Sequence, residues 1–191
     1  MSQIRQSVCF GNFLRRDLSA TTLIQAAAEI GYASIEMLPE EHWQQVKDCG
    51  LDIACVVGHA SLPDGLNKRE NHDRIESELL AKIAAAAAWG IGSLIVFSGN
   101  RESRSEQEGR DNCIMGLLRV KDAAETAGVT LCMELLNSKV DHPDYQCDRT
   151  PWGVEVCRGV DSTHVRLLYD IYHMQIMEGD LIRTIDTYGE W

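Results

Sequence analysis

Two stretches decide the reading of this chain: VTLCMELLN at residues 129–137 and VRLLYDIYH at residues 165–173. Each opens as a run of β-branched and large apolar residues, the pattern of a buried strand. Each then reaches an acid where that strand should stop. Glu134 closes the first run, and Asp170 closes the second with His173 three residues further on. In parallel α/β architectures the C-terminal ends of the strands open onto one face, and sites assemble there. Two carboxylates and an imidazole on neighbouring strand ends point to a divalent-metal site.

Outward from these runs, one unit recurs: an amphipathic helix, a glycine and a short apolar strand. It reads AAAEIG-YASIEM, QQVKDCG-LDIACVV, AAAAAWG-IGSLIVF, AAETAG-VTLCMEL and VEVCRG-VDSTHVRLLYD, with Gly31, Gly50, Gly90, Gly128 and Gly159 as the expected helix terminators. Leu23, Ala27 and Ile30 share one face of the first helix, and Ile75, Leu79 and Ile83 one face of the third. Ser105 and Glu108 have capping-box spacing at the start of the fourth. A leading strand near Ser7 to Phe10 brings the count to six strands, and a last helix is predicted over Gln175 to Thr187. Strict alternation of strand and helix means parallel strands with right-handed crossovers. An open doubly wound sheet and a (β/α)₈ barrel both satisfy it. The first strand is not followed by G-x-G-x-x-G, which weakens a dinucleotide-binding fold. With neither linker nor low-complexity segment, residues 1–191 read as one domain. The long loops Ser61 to Asn71 and Asn137 to Arg149 follow the third and fifth strands, as site-forming βα loops do.

Composition narrows the function. The formal net charge of −11 argues against a nucleic-acid partner, which calls for a basic face. The apolar runs fall short of the ~20 residues of a membrane span, and the opening MSQIRQSVCFGNF lacks the apolar core of a secretory leader. The seven cysteines are odd in number and without C-x-x-C spacing. They read as free thiols in a reducing cytoplasm.

The segment YDIYHMQIMEGDLIRTI, together with ELLN at 134–137, resembles the hydroxypyruvate isomerase group of the xylose-isomerase-like barrels. That resemblance implies a TIM (β/α)₈ barrel, with six β/α units in this chain and the last two not represented. A barrel of this type takes about 250 residues. The outer edges of the first and sixth strands would then need a cover. In such barrels a metal is held by a Glu at the end of strand five, an Asp at the end of strand six, and further ligands from strands seven and eight. Glu134 and Asp170 match the first two, and the others have no counterpart here. His173 matches a substrate-contacting histidine of related epimerases. The implied chemistry is metal-dependent aldose–ketose isomerisation of a small hydroxy-keto acid or sugar, hydroxypyruvate to tartronate semialdehyde, by enediolate proton transfer. Glu134 would be both metal ligand and proton-transfer base. Hard oxygen ligands favour Mg²⁺ or Mn²⁺ over zinc.

Other residues carry two readings each. Glu36 either faces the same rim or caps its strand on the solvent side. His59 is either a substrate contact or loop surface. Trp43 and Met174 either wall a pocket or belong to the core. Arg101, Arg104 and Lys139 either neutralise a substrate anion or are solvated charges. The alternative functions are a ketose 3-epimerase or inosose dehydratase of the same superfamily, a catalytically incomplete fragment, and an endonuclease IV-type enzyme, which the acidic balance disfavours. A small-molecule substrate and a possible homo-oligomer complete the expectation.

Overall fold

The computed structural model describes residues 4–14 and 18–191. Its strands are β1 (Ser7–Cys9), β2 (Ser34–Glu36), β3 (Asp52–Ile53), β4 (Val56–Val57), β5 (Ser93–Val96), β6 (Thr130–Glu134) and β7 (Val165–Leu168). Every pairing is parallel, in the order β1-β2-β3 and β4-β5-β6-β7. A doubly wound sheet would reverse its strand order at a switch point. Here the order follows the chain without reversal, which is barrel winding.

The described residues thus hold seven strands where six are predicted. The third expected strand is broken at Ala54 and Cys55 into β3 and β4. The first half pairs with β2, and that ladder runs on through Ala54 N–H to Ile35 O (3.0 Å) and Met37 N–H to Cys55 O (2.9 Å). The second half pairs with β5, continued by Gly58 N–H to Ile95 O at 2.8 Å. One short segment therefore switches neighbours midway and turns the arc.

The helices are α1 (Phe10–Phe13), α2 (Ala20–Ile30), α3 (Trp43–Asp48), α4 (His72–Trp89), α5 (Glu106–Leu118), α6 (Lys121–Ala127), α7 (Thr150–Val160), α8 (Ile171–Met177) and α9 (Leu181–Tyr188), with 3₁₀ turns at Glu40–His42 and Arg69–Asn71. Phe10 opens α1 rather than closing β1. In α2 the buried face is Leu23, Ile24 and Ala27, while Ile30 points to solvent. Ile75, Leu79 and Ile83 of α4 are buried as predicted. Ser105 caps α5, its hydroxyl accepting the Glu108 N–H at 3.1 Å.

Gly31, Gly90 and Gly128 end their helices in the left-handed conformation, and Gly50 adopts it just past α3. Gly159 does not. It lies inside α7, which ends at Asp161, and a Cβ there would sit 2.3 Å from Ile114 Cδ1. This glycine lets α7 approach α5. The single last helix predicted over Gln175 to Thr187 is two, α8 and α9, divided where Gly179 and Asp180 take positive φ. On the outer edge of β7, the Leu167 N–H is taken by the Trp191 carbonyl at 2.9 Å.

The core lies between strands and helices, with Leu94, Leu131, Met133 and Val165 fully buried on the sheet side and Leu79, Leu117 and Val160 opposite. All seven cysteines are free. Among the described residues, no helix is long and apolar enough to cross a membrane.

Candidate active site

Period-two alternation along β6 decides which way Glu134 points. Leu131 and Met133 are buried against the helices, whereas Thr130, Cys132 and Glu134 are half-buried on the other face. Glu36 is the last residue of β2 and opposes Cys9 in register. Its Oε2 accepts the Cys55 thiol at 3.3 Å. Burial and the Glu36 charge push that thiol well above its ordinary range. Asp170 lies two residues beyond β7.

These carboxylates act on one another. Burial, then the charges of Asp170 and Glu36, push the Glu134 carboxyl up to about 7. The Glu134 backbone is held separately: its carbonyl accepts the Tyr145 hydroxyl at 3.0 Å, and the same hydroxyl oxygen accepts the Ser98 N–H at 3.0 Å. Tyr145 is fully buried and ties the ends of β5 and β6 together.

Asp170 is the N-cap of α8. Its Oδ1 accepts the N–H groups of Tyr172 (2.8 Å) and His173 (3.2 Å). A last helix placed at Gln175 hides this role, because several residues then intervene. Oδ2 remains on the site side, 3.7 Å from His173 Nε2. His173 is buried, which pushes its pKa down against the opposing pull of Asp170. Its Nδ1 lies 2.7 Å from Asn137 Nδ2, and the rings of His142 and Tyr172 meet it edge-on at 5.2 and 5.0 Å.

His59 is elsewhere. It is buried, with Nε2 accepting the Phe97 N–H at 3.0 Å and Nδ1 3.1 Å from the Ala60 carbonyl. Both ring nitrogens lie against backbone groups, which makes His59 a strut between the ends of β4 and β5, on the wall of the cavity described below. Met174 is core, 0% exposed, whereas Trp43, 1% exposed, is packed in the core and also lines that cavity. The rim cations are engaged too. Arg101 pairs with Glu106 at 2.8 Å, Arg104 with Glu70 and Glu102 at 3.1 Å each, and Lys139 donates to the Ile176 and Met177 carbonyls at the end of α8.

Asn137, His142 and Tyr145 join the site without having been singled out from sequence. Asn137 stands in the ELLN run, and its one legible signal is a polar residue just past a strand end. A larger cavity, about 850 Å³, lies apart from this cluster between the loops after β2 and β4 and helix α4. Leu38, Trp43, Val57 and Lys82 line it, and it contains none of Glu36, Glu134 and Asp170. The cavity walls are mostly apolar, and their charged groups are paired, Lys82 with Glu40 and Glu78 with Arg74.

Comparison with known proteins bears on the fold. Residues 24–190 match the family described as Xylose isomerase-like TIM barrel. The chain belongs to that family. A putative hydroxypyruvate isomerase of Xenopus laevis is 30% identical over 185 residues, covering 86% of this chain and 66% of that protein. A D-psicose 3-epimerase of Ruminiclostridium cellulolyticum is 25% identical over 190 residues, covering 86% and 62%. The chain thus spans a little under two-thirds of the length of both relatives. The crystal structure of the IOLI protein with a binding zinc atom aligns with a TM-score of 0.76 at 16% identity, covering 95% of this chain and 68% of that one. Isomerase, epimerase and endonuclease all appear among the names of such distant relatives. The shared property is the α/β barrel fold.

Glu134 and Asp170 offer hard oxygen donors whose mutual repulsion a cation between them would relieve. They fit a divalent ion as part of a donor set. Among the described residues, no three or more His, Cys, Asp and Glu side chains are grouped to hold one.

Proposed function

We propose that this chain carries the strand-end acids of a metal-dependent isomerase acting on a small hydroxy-keto acid or sugar, with hydroxypyruvate as the first candidate. One observation carries the reading: a strand-end carboxyl, Glu134, is raised to about 7 by burial and by two neighbouring acids. A base poised near the operating pH both takes and returns a proton efficiently.

In the proposed reaction Glu134 removes a proton from C3 of hydroxypyruvate, the carbon bearing the hydroxyl. The hydroxyl proton passes from O3 to O2, and Glu134 returns its proton to C2, giving tartronate semialdehyde. His173 donates a hydrogen bond to a substrate oxygen as negative charge develops there. Glu36 lines the opposite side of the rim. Glu134 and Asp170 would hold Mg²⁺ or Mn²⁺, which when bound supplies Lewis-acid stabilisation of the two oxygens. The low-identity likeness to an isomerase and to an epimerase supports this class of carbon-acid chemistry. We further propose that residues 1–191 belong to a single barrel domain, that the remaining donors come from outside the described residues, and that the protein is cytoplasmic and self-associates.

Solvent deuterium exchange into substrate carbon, in Mn²⁺, tests the reading across hydroxypyruvate, a ketohexose and an inosose. Exchange into one substrate, abolished by Glu134→Gln with the fold intact, is the expected result. Wild-type exchange rates in the Gln variant would overturn it.

A further inference from the structure

We propose that Asn137 is a positioning residue that fixes the tautomer of His173, keeping Nδ1 as a hydrogen-bond acceptor so that the ring proton sits on Nε2. Its catalytic consequence rests on the isomerase reading above. The tautomer itself does not.

The argument begins with the amide. Asn137 is fully buried, and its Oδ1 accepts the backbone N–H groups of Val140 (3.0 Å) and Asp141 (2.9 Å). Turning the amide over would set an NH₂ group against two N–H donors, so the loop backbone fixes which end is oxygen. The NH₂ group therefore faces the other way, and each of its hydrogens has an acceptor. One goes to Asp141 Oδ2 at 2.7 Å, the other to His173 Nδ1 at 2.7 Å. A donor at that distance requires a lone pair on Nδ1. A neutral imidazole must then carry its proton on Nε2.

The rest of the cluster holds the ring in that pose. Asp141 Oδ2 also accepts the Tyr172 hydroxyl at 2.8 Å, closing a belt from the loop after β6 to the first turn of α8. Nε2 lies 3.7 Å from Asp170 Oδ2, while Asp170 Oδ1 is engaged at the start of α8. The Nε2–H is thus presented on the acidic side of the rim. Neutral in this tautomer, His173 has no lone pair to offer there. It serves as a donor, and proton abstraction is left to Glu134. The two roles are divided by a residue that touches neither substrate carbon.

The experiment is two-bond ¹H–¹⁵N correlation on uniformly labelled protein, with His173 identified among the six histidines by loss of its signals in His173→Gln. In the neutral ring the expected pattern is an unprotonated Nδ1 and a protonated Nε2. In the double variant Asn137→Asp with Asp141→Asn, which avoids setting two carboxylates 2.7 Å apart, the carboxylate at 137 can only accept, so the pattern inverts. In Asn137→Ala both tautomers are populated. A protonated Nδ1 in the wild type overturns the proposal whatever the variants do, and so does an unchanged pattern in the folded double variant. The readout needs neither substrate nor metal, so it stands or falls apart from the isomerase reading. Where a substrate shows exchange, the double variant should slow it by roughly 10²-fold. An inverted tautomer with an unaltered rate would sever Asn137 from catalysis.

Discussion

Replacing Glu134 by Gln should make the metal-free protein more stable, and by an amount that grows with pH. The Glu134 carboxyl is raised from 4.5 to about 7 in the folded state, a shift of differential protonation worth about 3 kcal/mol. The sign follows from proton binding. Below the unfolded value both states are protonated and no penalty exists. Between the two values the folded state holds the proton that the unfolded state has lost, so stability falls as pH rises. Above about 7 the penalty is complete. It is about 1 kcal/mol at pH 5 and about 3 kcal/mol at pH 8. Gln is nearly isosteric and never ionises, and any packing cost it brings is the same at both values. Thermal unfolding of wild type and Glu134→Gln, with chelator present, should therefore show a gap in Tm that widens by about 5–10 °C from pH 5 to pH 8 in favour of the variant. A gap that stays constant across that range would refute the reasoning, because the carboxyl would then be ordinary and the acids too far apart to act on one another. Asp170→Asn should recover part of the same gain, since it removes one of the charges that raise Glu134.

The same titration predicts metal behaviour: Mn²⁺ affinity should rise between pH 5 and 8, with about one proton released on binding at pH 5 and almost none at pH 8. Calorimetry in buffers of different ionisation enthalpy measures this, and pH-independent affinity would contradict it. Tyr145→Phe removes the donor to the Glu134 carbonyl and the acceptor of the Ser98 N–H, and denaturant unfolding should show a loss of about 1–3 kcal/mol. Gly65→Ala should be the more damaging of two glycine changes. A Cβ at Gly65 would lie 2.4–2.5 Å from backbone atoms of Phe97, Ser98 and Gly99, a clash costing about 3 kcal/mol. At Gly128 a Cβ meets nothing within 4 Å, and only its φ of +66° is unfavourable, for about 1 kcal/mol. Equal losses for the two by chemical denaturation would count against this packing.

What the sequence made legible is whatever one strand or one helix determines by itself. An apolar run that stops on a carboxylate announced Glu134 and Asp170. Glycines after helices announced Gly31, Gly90 and Gly128, because a local φ is enough to end a helix. Contacts between elements left no such trace. Gly159 has the same local setting as the others, yet it stands where α7 crosses α5, and only the Ile114 side chain shows why. His59 looked like a free loop histidine because its two partners are backbone groups, one of them 38 residues away. The break of the third strand at Ala54 and Cys55 comes from the curvature of the whole arc. The capping role of Asp170 leaves no sequence pattern of its own, because the helix it starts runs only Ile171–Met177 and then gives way to a second one.

The site follows one rule throughout: each group to which we propose a chemical role is fixed through an atom that the proposed role does not use. Tyr145 holds Glu134 by its carbonyl and leaves the carboxylate on the acidic rim. The first turn of α8 engages Oδ1 of Asp170 and leaves Oδ2. Asn137 takes Nδ1 of His173 and leaves Nε2. Such anchoring orients functional atoms without blocking them, at sites built on strand ends rather than on mobile loops. It also separates two inheritances. The anchors lie in the loop spanning residues 137–149 and in the first turn of α8, so they set where an acid, a second acid and an imidazole stand. Which carbon is presented to Glu134 depends instead on the surfaces around them. On the proposed reading, such a frame suits isomerisation and epimerisation alike, since both begin by removing a proton beside a carbonyl. A substrate exchange experiment is therefore the sharper probe of this protein than further comparison of folds.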